Sequence, residues 1–309
     1  MKKSSTIQYL PLTRPLASYA ISKKLLLNDR NVILDLEDSA QDIFNDETNL
    51  VLKKNAREGL KEISKFKIPT NNSKLYVRIN SSETSFYKHD LDVIKECLKN
   101  GFPITGLFLP MVNNYDQIEN VSKIFGDKLE IVPMIETVEG MNNLEKILTN
   151  DSKNIIKRVH YGNFDYSYSA KFWPFLDPNH DKYWNVINYI VKILKKHNKS
   201  FVGSPFPFPY KEEMFWQCAF KTEEISDLDE IWHCCVNSSL ALSERPKTCS
   251  ELTIIKYQFS NDNKIVIANN IIKDFLEGRS NKRSFGVSDH RFIAPHQYLA
   301  AKLILNTHE

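Results

Sequence analysis

The chain has 309 residues, of which 42% are hydrophobic and 26% are charged, and its formal net charge is +3. That length can bury a full core, and one α/β barrel of about 250 residues with an appendage would fit. Lysines and acidic residues are interspersed, so the charge pattern gives no reason to expect a nucleic-acid partner. No stretch reaches the roughly 20 apolar residues of a membrane-spanning helix, so no membrane partner is expected either.

The cysteines favour a reducing compartment. They are five in number, and Cys234 and Cys235 are adjacent, which suits neither a disulfide framework nor a zinc site. Lys2 and Lys3 stand near the start of the chain, but no apolar run of signal length follows them. We therefore predict a soluble, cytoplasmic protein with reduced thiols.

Short apolar runs alternate with helical patterns along most of the chain. Strands are expected at residues 7–10, 31–34, 74–79, 104–109, 128–135, 156–161, 200–202 and 230–233. Helices are expected at residues 17–27, 46–66, 91–98, 114–124, 141–148, 183–195 and 212–220. Eight such units predict an α/β fold of the TIM (β/α)8 barrel type. The alternative is a doubly wound open sheet, but no Gly-x-Gly-x-x-Gly follows the first strand.

The pattern changes after residue 243. A helix is expected over residues 264–276, closed by Gly278, then a polar hinge at 279–283 and a last helix at 295–305. We therefore divide the chain into a barrel domain at 1–243 and a C-terminal helical segment at 244–309. This segment is expected to lie over a barrel mouth, its own or that of a neighbouring subunit.

Charged side chains follow several of the predicted strands, where α/β barrels carry their chemistry. Glu136 follows the fifth strand and Asp165 follows the sixth. Two carboxylates with room for water suit Mg²⁺, which prefers oxygen ligands, and no set of His and Cys residues suits zinc. The alternative is that each acid caps the helix that follows it.

Arg78 ends the third strand, and Asp35, Glu37 and Asp38 end the second. A guanidinium in a barrel mouth can hold a substrate carboxylate with two parallel hydrogen bonds. Arg78 could equally form a structural ion pair with Glu37 or Asp38, and the two interpretations are compatible. We expect Glu37 and Asp38 to face the mouth and orient Arg78 and metal-bound water. Asp35 is expected to face the helix layer or to cap a turn.

Three further basic residues are weaker candidates. Arg14 could contact a substrate phosphate at the mouth, or it could simply be a solvated surface residue. His160 and His233 lie near the ends of strands six and eight, where a histidine could carry a proton near neutral pH. Hydrogen-bonded structural roles are the alternative for both histidines.

Six segments together resemble the citrate lyase β-subunit-like branch of the HpcH/HpaI aldolase family in their order and spacing. The resemblance covers roughly residues 7–170 and is looser beyond. The segments are residues 33–39 (Ile-Leu-Asp-Leu-Glu-Asp-Ser), 54–57 (Lys-Asn-Ala-Arg), 77–80 (Val-Arg-Ile-Asn), 109–112 (Leu-Pro-Met-Val), 134–137 (Met-Ile-Glu-Thr) and 162–165 (Gly-Asn-Phe-Asp).

The resemblance implies a TIM barrel that binds Mg²⁺, or as a second candidate Mn²⁺, through Glu136 and Asp165. It implies that Arg78 holds a substrate carboxylate or carbonyl, with Glu37 and Asp38 beside it. It implies carbon–carbon bond cleavage or formation through a metal-stabilised enolate, as in citryl-CoA or malyl-CoA lyases, with a CoA thioester as a candidate substrate. Family members are commonly trimers or hexamers, so we expect a homo-oligomer in which the C-terminal segment reaches a neighbour's site.

The chain departs from the family pattern at positions that bear on CoA. Leu12 stands where a Gly is usual, Met111 where a Lys is usual, and Ala294 where malyl-CoA lyase relatives have an acidic residue. These changes favour an alternative function, a CoA-independent aldolase acting on a 2-oxo acid. A further alternative is a non-catalytic barrel subunit, which would have no physical need for the acidic pair and Arg78.

Overall fold

Eight parallel strands close into a barrel in the computed structural model, which describes residues 3–70, 72–280, 286–288 and 291–307. The strands pair in chain order, and the first pairs with the eighth. The predicted TIM barrel is therefore confirmed. The strands are β1 (Lys3–Pro11), β2 (Asn31–Asp35), β3 (Leu75–Arg78), β4 (Gly106–Leu109), β5 (Glu130–Ile135), β6 (Arg158–Tyr161), β7 (Ser200–Val202) and β8 (Glu230–Cys235).

Helices surround the barrel, and several begin at a capping side chain. Thr137 accepts a hydrogen bond from the Gly140 amide at one helix start, and Asn114 and Gln117 form a capping box at another. Among the described residues, no helix is both long enough and apolar enough to cross a bilayer. The barrel helices are α1 (Pro15–Leu27), α2 (Asp46–Ile63), α3 (Tyr87–Lys99), α4 (Tyr115–Phe125), α5 (Val138–Thr149), α6 (Asn163–Ser169), α7 (Asp181–Lys196), α8 (Glu212–Ser226) and α9 (Ser238–Leu242).

The alternation of side chains along each strand decides which strand ends face the mouth. In β3, Leu75 and Val77 pack outward against the helices, whereas Tyr76 belongs to the small cluster inside the barrel. Because successive side chains of a strand point to opposite faces, Arg78 points inward like Tyr76. In β2, Ile33 is inward in the same way, so Asp35 also faces the interior, contrary to the helix-layer orientation expected from the sequence.

The opposite, N-terminal end of the barrel is closed by a cluster of buried charges. Arg158 forms ion pairs with Glu130 and Glu230, the latter at 3.0 Å, and its guanidinium carbon lies 3.6 Å from the centre of the Trp232 ring. These four residues stand on β5, β6 and β8. Each carboxylate there has a cation within contact distance, so this end of the barrel is neutralised by its own side chains.

The C-terminal segment lies across the other end of its own barrel. Aromatic and aliphatic side chains of the segment, including Phe275 and Tyr298, pack against Phe164 and Trp173 after β6. The first helix of the segment continues past Gly278, where the sequence analysis had closed it; residues 281–283 of the expected hinge lie outside the described residues. Contact with a neighbouring subunit stays a prediction. The elements are α10 (Asn261–Ser280), β9 (Gly286–Ser288), β10 (Arg291–Ile293) and α11 (Pro295–Asn306).

The cluster at the N-terminal end gives a stability prediction. We expect Arg158→Ala to lower the free energy of unfolding by about 3 kcal/mol, because it removes the cation shared by two largely buried carboxylates. Lys123→Ala, which removes an exposed ion pair with Glu119, should leave the free energy of unfolding almost unchanged. Urea denaturation followed by circular dichroism measures both values. Equal losses for the two variants would contradict the importance of the cluster.

Candidate active site at the C-terminal mouth of the barrel

Arg78 and Asp35 form the innermost ion pair of the mouth. Arg78 Nε lies 2.7 Å from Asp35 Oδ1, and Nη2 lies 2.6 Å from Oδ2, so the pair is bidentate. The two residues are only 8% and 1% exposed. Burial by itself would raise the pKa of Asp35, but the adjacent guanidinium lowers it below its ordinary value, so the carboxylate stays ionised. Asp35 also accepts hydrogen bonds from the Glu37 and Ser39 amides, which is the turn-capping role expected for it.

Glu37 and Asp38 hold the third nitrogen of Arg78. Their carboxylates lie 2.8 and 3.0 Å from Nη1, so both acids contact Arg78 as the sequence analysis expected. Arginine has five N–H groups, of which three donate hydrogen bonds to Asp35 and Asp38, and Glu37 contacts Nη1 as an ion pair. Burial and the charge of Asp38 raise the pKa of Glu37 well above its ordinary value.

Glu136 follows β5 and points into the mouth, because Val132 and Met134 of that strand face inward. It is 3% exposed, and its Oε1 accepts a hydrogen bond of 2.8 Å from the Met111 amide. A Cβ atom at Gly162 would lie 2.2 Å from Oε2, so Glu136 packs directly against the backbone that leads into α6. Burial, and then the charges of Asp165 and Glu37, raise the pKa of Glu136 well above its ordinary value.

Asp165 lies in the first turn of α6, not on the strand itself, and His296 of α11 contacts it. His296 Nδ1 is 3.0 Å from Asp165 Oδ1. Burial alone would raise the pKa of Asp165, but the charge and the hydrogen bond of His296 lower it. Burial alone would lower the pKa of His296, but Asp165, followed by Asp38 and Glu37, raises it to about 9. His296 therefore carries a positive charge at neutral pH in this arrangement.

The floor of the mouth is made by Tyr9 and His160. The Arg78 guanidinium carbon lies 4.5 Å from the centre of the Tyr9 ring, and the Tyr9 hydroxyl is 3.1 Å from His160 Nε2. His160 Nδ1 lies 3.2 Å from the Val202 carbonyl, which can only accept, so Nδ1 carries the proton and Nε2 accepts from Tyr9. Burial lowers the pKa of His160 to about 3. His160 is thus a neutral, hydrogen-bonded floor residue, the structural role that the sequence analysis had left open.

The charges at the mouth do not balance. Five carboxyl groups face three basic groups, which leaves an excess of two negative charges when all are ionised. Among the described residues, no three His, Cys, Asp or Glu side chains are grouped so as to hold a metal ion by themselves. A divalent cation that takes one or two carboxylates and completes its shell with water or substrate therefore fits this mouth, and Mg²⁺ behaves in that way. The groups are Asp35, Glu37, Asp38, Glu136 and Asp165 on one side and Lys53, Arg78 and His296 on the other.

Two of the basic groups were missed by the sequence analysis. Lys53 of α2 is 3% exposed and donates a hydrogen bond of 2.7 Å to the Glu37 carbonyl, and it stands one residue before the quoted segment 54–57. His296 lies two residues after the departure at Ala294, but nothing in the local pattern links it to Asp165.

Of the other candidates, Arg14 immediately precedes α1 and its side chain is exposed. His233 contacts Ser4 and Glu223 near the start of β1, away from the mouth.

Comparison with known proteins places this geometry in context. The model of the HpcH/HpaI aldolase/citrate lyase family matches residues 15–198. No curated protein sequence matches the chain. A citrate lyase beta subunit from Mycobacterium tuberculosis, solved with oxaloacetate and magnesium, is 17% identical with a TM-score of 0.59, and the match covers 77% of this chain and 94% of that one.

Two further structures match over almost the whole chain. CitE from M. tuberculosis with magnesium, acetoacetate and coenzyme A is 17% identical with a TM-score of 0.59, covering 98% of this chain and 97% of that one. Haloferax volcanii malate synthase, in a ternary complex with pyruvate and acetyl-CoA, is 13% identical with a TM-score of 0.68, covering 100% and 91%. At such identities the likeness shows the fold. The family model, which spans more than half of the sequence, shows that the chain belongs to the HpcH/HpaI aldolase/citrate lyase family and is a protein of the lyase and aldolase kind.

Proposed function

We propose that this protein is a Mg²⁺-dependent carbon–carbon lyase or aldolase that acts on a small carboxylated substrate. Glu136 and Asp165 hold the metal, and Arg78 binds the substrate. The observation that carries the proposal is the surplus of carboxyl groups over basic groups at the mouth, which includes a buried Glu136 that accepts a hydrogen bond from the Met111 amide. The solved relatives with magnesium and oxaloacetate or acetoacetate support the same ligand classes.

Arg78 supplies positive charge at a fixed position. Asp35 holds it by two hydrogen bonds and Tyr9 supports its face, so the guanidinium is oriented before substrate arrives. A substrate carboxylate or carbonyl takes the free N–H of Nη2 and displaces Glu37 or Asp38 from Nη1. The enclosing side chains exclude water, which strengthens the interaction.

Mg²⁺ supplies, when bound, the positive charge that stabilises an enolate oxygen after a carbon–carbon bond breaks next to a carbonyl. The role of the protein is to position the carboxylates that would bind the metal. The Met111 amide fixes Glu136, and the Cβ-free backbone of Gly162 admits its second oxygen. Asp35 keeps Arg78 directed into the mouth when a substrate displaces Glu37 or Asp38, so the arginine and the metal would act on one substrate.

A second candidate function is a CoA-independent aldolase acting on a 2-oxo acid. The observation that favours it is Ala294, which is buried at the mouth where malyl-CoA lyase relatives have an acidic residue. Without a carboxylate there, removal of a proton from an acyl-CoA methyl group has one candidate group fewer. A 2-oxo acid released by bond cleavage needs the metal and Arg78 alone to stabilise its enolate.

The metal site is tested by its carboxylates. We expect Glu136→Gln and Asp165→Asn each to weaken Mg²⁺ binding by more than about 100-fold, because loss of an outer-shell partner alone costs about 10- to 100-fold. Glu130→Gln is the matched control, since Glu130 begins the strand that Glu136 follows and lies at the opposite end of the barrel. Isothermal titration calorimetry with MgCl₂ measures the affinities. Unchanged affinity in Glu136→Gln would refute the assignment.

The role of Arg78 is tested by kinetics. We expect Arg78→Lys to lower kcat/KM by about 10²- to 10³-fold, because lysine cannot make the paired hydrogen bonds that hold the guanidinium and its substrate. Arg57→Lys is the control, since Arg57 on α2 also pairs with a buried aspartate, Asp90 on α3, and was not assigned to the site. The assay offers a 4-hydroxy-2-oxo acid, citryl-CoA and malyl-CoA in the presence of Mg²⁺ and follows the release of pyruvate, oxaloacetate or glyoxylate, respectively.

The same assay separates the two candidate functions. Cleavage of the free acid without CoA would support the 2-oxo acid aldolase, and cleavage of the thioesters alone would support the CoA-dependent lyase. Wild-type protein that binds Mg²⁺ and cleaves none of these substrates would favour the non-catalytic alternative.

A further inference from the structure

The C-terminal segment brings one polar side chain onto a proposed metal ligand. His296 is the second residue of α11, and its Nδ1 lies 3.0 Å from Asp165 Oδ1. A basic side chain in the first turn of a helix faces the positive end of the helix dipole, which disfavours it. The placement of His296 therefore does not stabilise α11, and we explain it by the contacts that His296 makes with the barrel.

Those contacts come from one face of α6. Tyr168 stands one turn after Asp165, and residues three apart lie on the same side of a helix. The Tyr168 ring lies 5.3 Å from the His296 ring, measured between centroids, with an interplanar angle of 41°. The imidazole is thus held at its edge by a carboxylate and at its face by an aromatic ring. Two independent contacts fix where Nδ1 is directed.

The segment that carries His296 is itself attached to the barrel on both sides. Arg279 pairs with Asp42 at 3.2 Å, and Arg291 pairs with Asp177 at 2.9 Å. In addition, Phe275 of α10 stacks on Tyr298 of α11 with ring centroids 4.9 Å apart, inside the apolar cluster shared with α6. The position of His296 is therefore set by the docked segment as a whole.

We infer that His296 is a positioning residue for the metal site, through which docking of the C-terminal segment and metal binding at Asp165 are coupled. A hydrogen bond to Oδ1 fixes the plane of the carboxylate, so that Oδ2 is presented to a cation in one orientation. Outer-shell donors of this kind orient metal-binding carboxylates. The inference rests on the proposed function, since it takes Asp165 as a metal ligand.

Coupling of this kind is reciprocal. If the docked His296 raises Mg²⁺ affinity by some factor, then Mg²⁺ must stabilise the docked segment by the same factor. Two measurements therefore test the inference: the affinity of the protein for Mg²⁺ and the rate of hydrogen exchange of the amides in α11. Neither measurement requires turnover of a substrate.

The experiment compares four proteins by calorimetry with MgCl₂ and by hydrogen exchange with and without Mg²⁺. We expect His296→Ala to bind Mg²⁺ about 10- to 100-fold more weakly than wild type. His296→Asn should recover most of that loss, because the asparagine amide nitrogen can occupy the place of Nδ1 and donate to Oδ1. Lys302→Ala, on an exposed part of the same helix, should bind Mg²⁺ as wild type does. Mg²⁺ should slow exchange in α11 of wild type but not of His296→Ala.

A fifth protein separates the hydrogen bond from loosening of the segment. Arg291→Gln removes an ion pair that holds the segment and leaves His296 and Asp165 intact, so it should cost less Mg²⁺ affinity than His296→Ala. The inference is overturned if His296→Ala binds Mg²⁺ as tightly as wild type or if His296→Asn binds it no better than His296→Ala. It is overturned likewise if Arg291→Gln costs as much Mg²⁺ affinity as His296→Ala without faster hydrogen exchange in α11. Failure of wild type to bind Mg²⁺, or unchanged binding in Asp165→Asn, would instead overturn the proposed metal site.

Discussion

Two hydrogen bonds of 2.6 and 2.7 Å join the Arg78 guanidinium to Asp35 inside the barrel, where both residues are almost out of contact with water. A charge in that position is costly unless it is fully paired. Asp35 and Arg78 are opposite each other on the paired strands β2 and β3, so each strand supplies the counter-charge for the buried charge of the other. Glu37 and Asp38 contact the outer nitrogen, Nη1, so their ion pairs with Arg78 also position the loop that follows β2.

The two ends of β5 show how differently the same residue type is used. Glu130 begins the strand and contacts Arg158, Lys74 and the Tyr76 hydroxyl. Glu136 follows the strand and accepts a hydrogen bond from one backbone amide, while burial and then its carboxylate neighbours raise its pKa. At the first end the protein supplies its own cations and so stabilises the fold. At the second end the counter-charge is incomplete, which is the condition under which a metal ion can bind.

The C-terminal segment completes the mouth in both packing and charge. Its apolar face covers Phe164 and Trp173, which would otherwise be open to solvent next to the acidic residues. Its His296 adds a positive charge close to Asp165. The barrel therefore provides the acids from its strand ends, and the segment provides part of the enclosure that lets electrostatic interactions act through a medium less polarisable than water.

The sequence by itself determined the eight strands and seven of the barrel helices, because hydrophobic periodicity is a local property of the chain. It also determined the strand ends at Arg78, Glu136 and the acidic residues after β2, since the end of an apolar run can be read locally. It did not reveal α6 and α9, which are too short to show a helical period, nor the β9–β10 hairpin. The spacing of Asp35 from Ile33 puts both side chains on the same face of β2. Only the structure shows that this face points into the barrel. Only the tertiary structure decided which cations neutralise which acids, since His296 meets Asp165 through packing of a segment distant in the chain, and no local pattern encodes that contact.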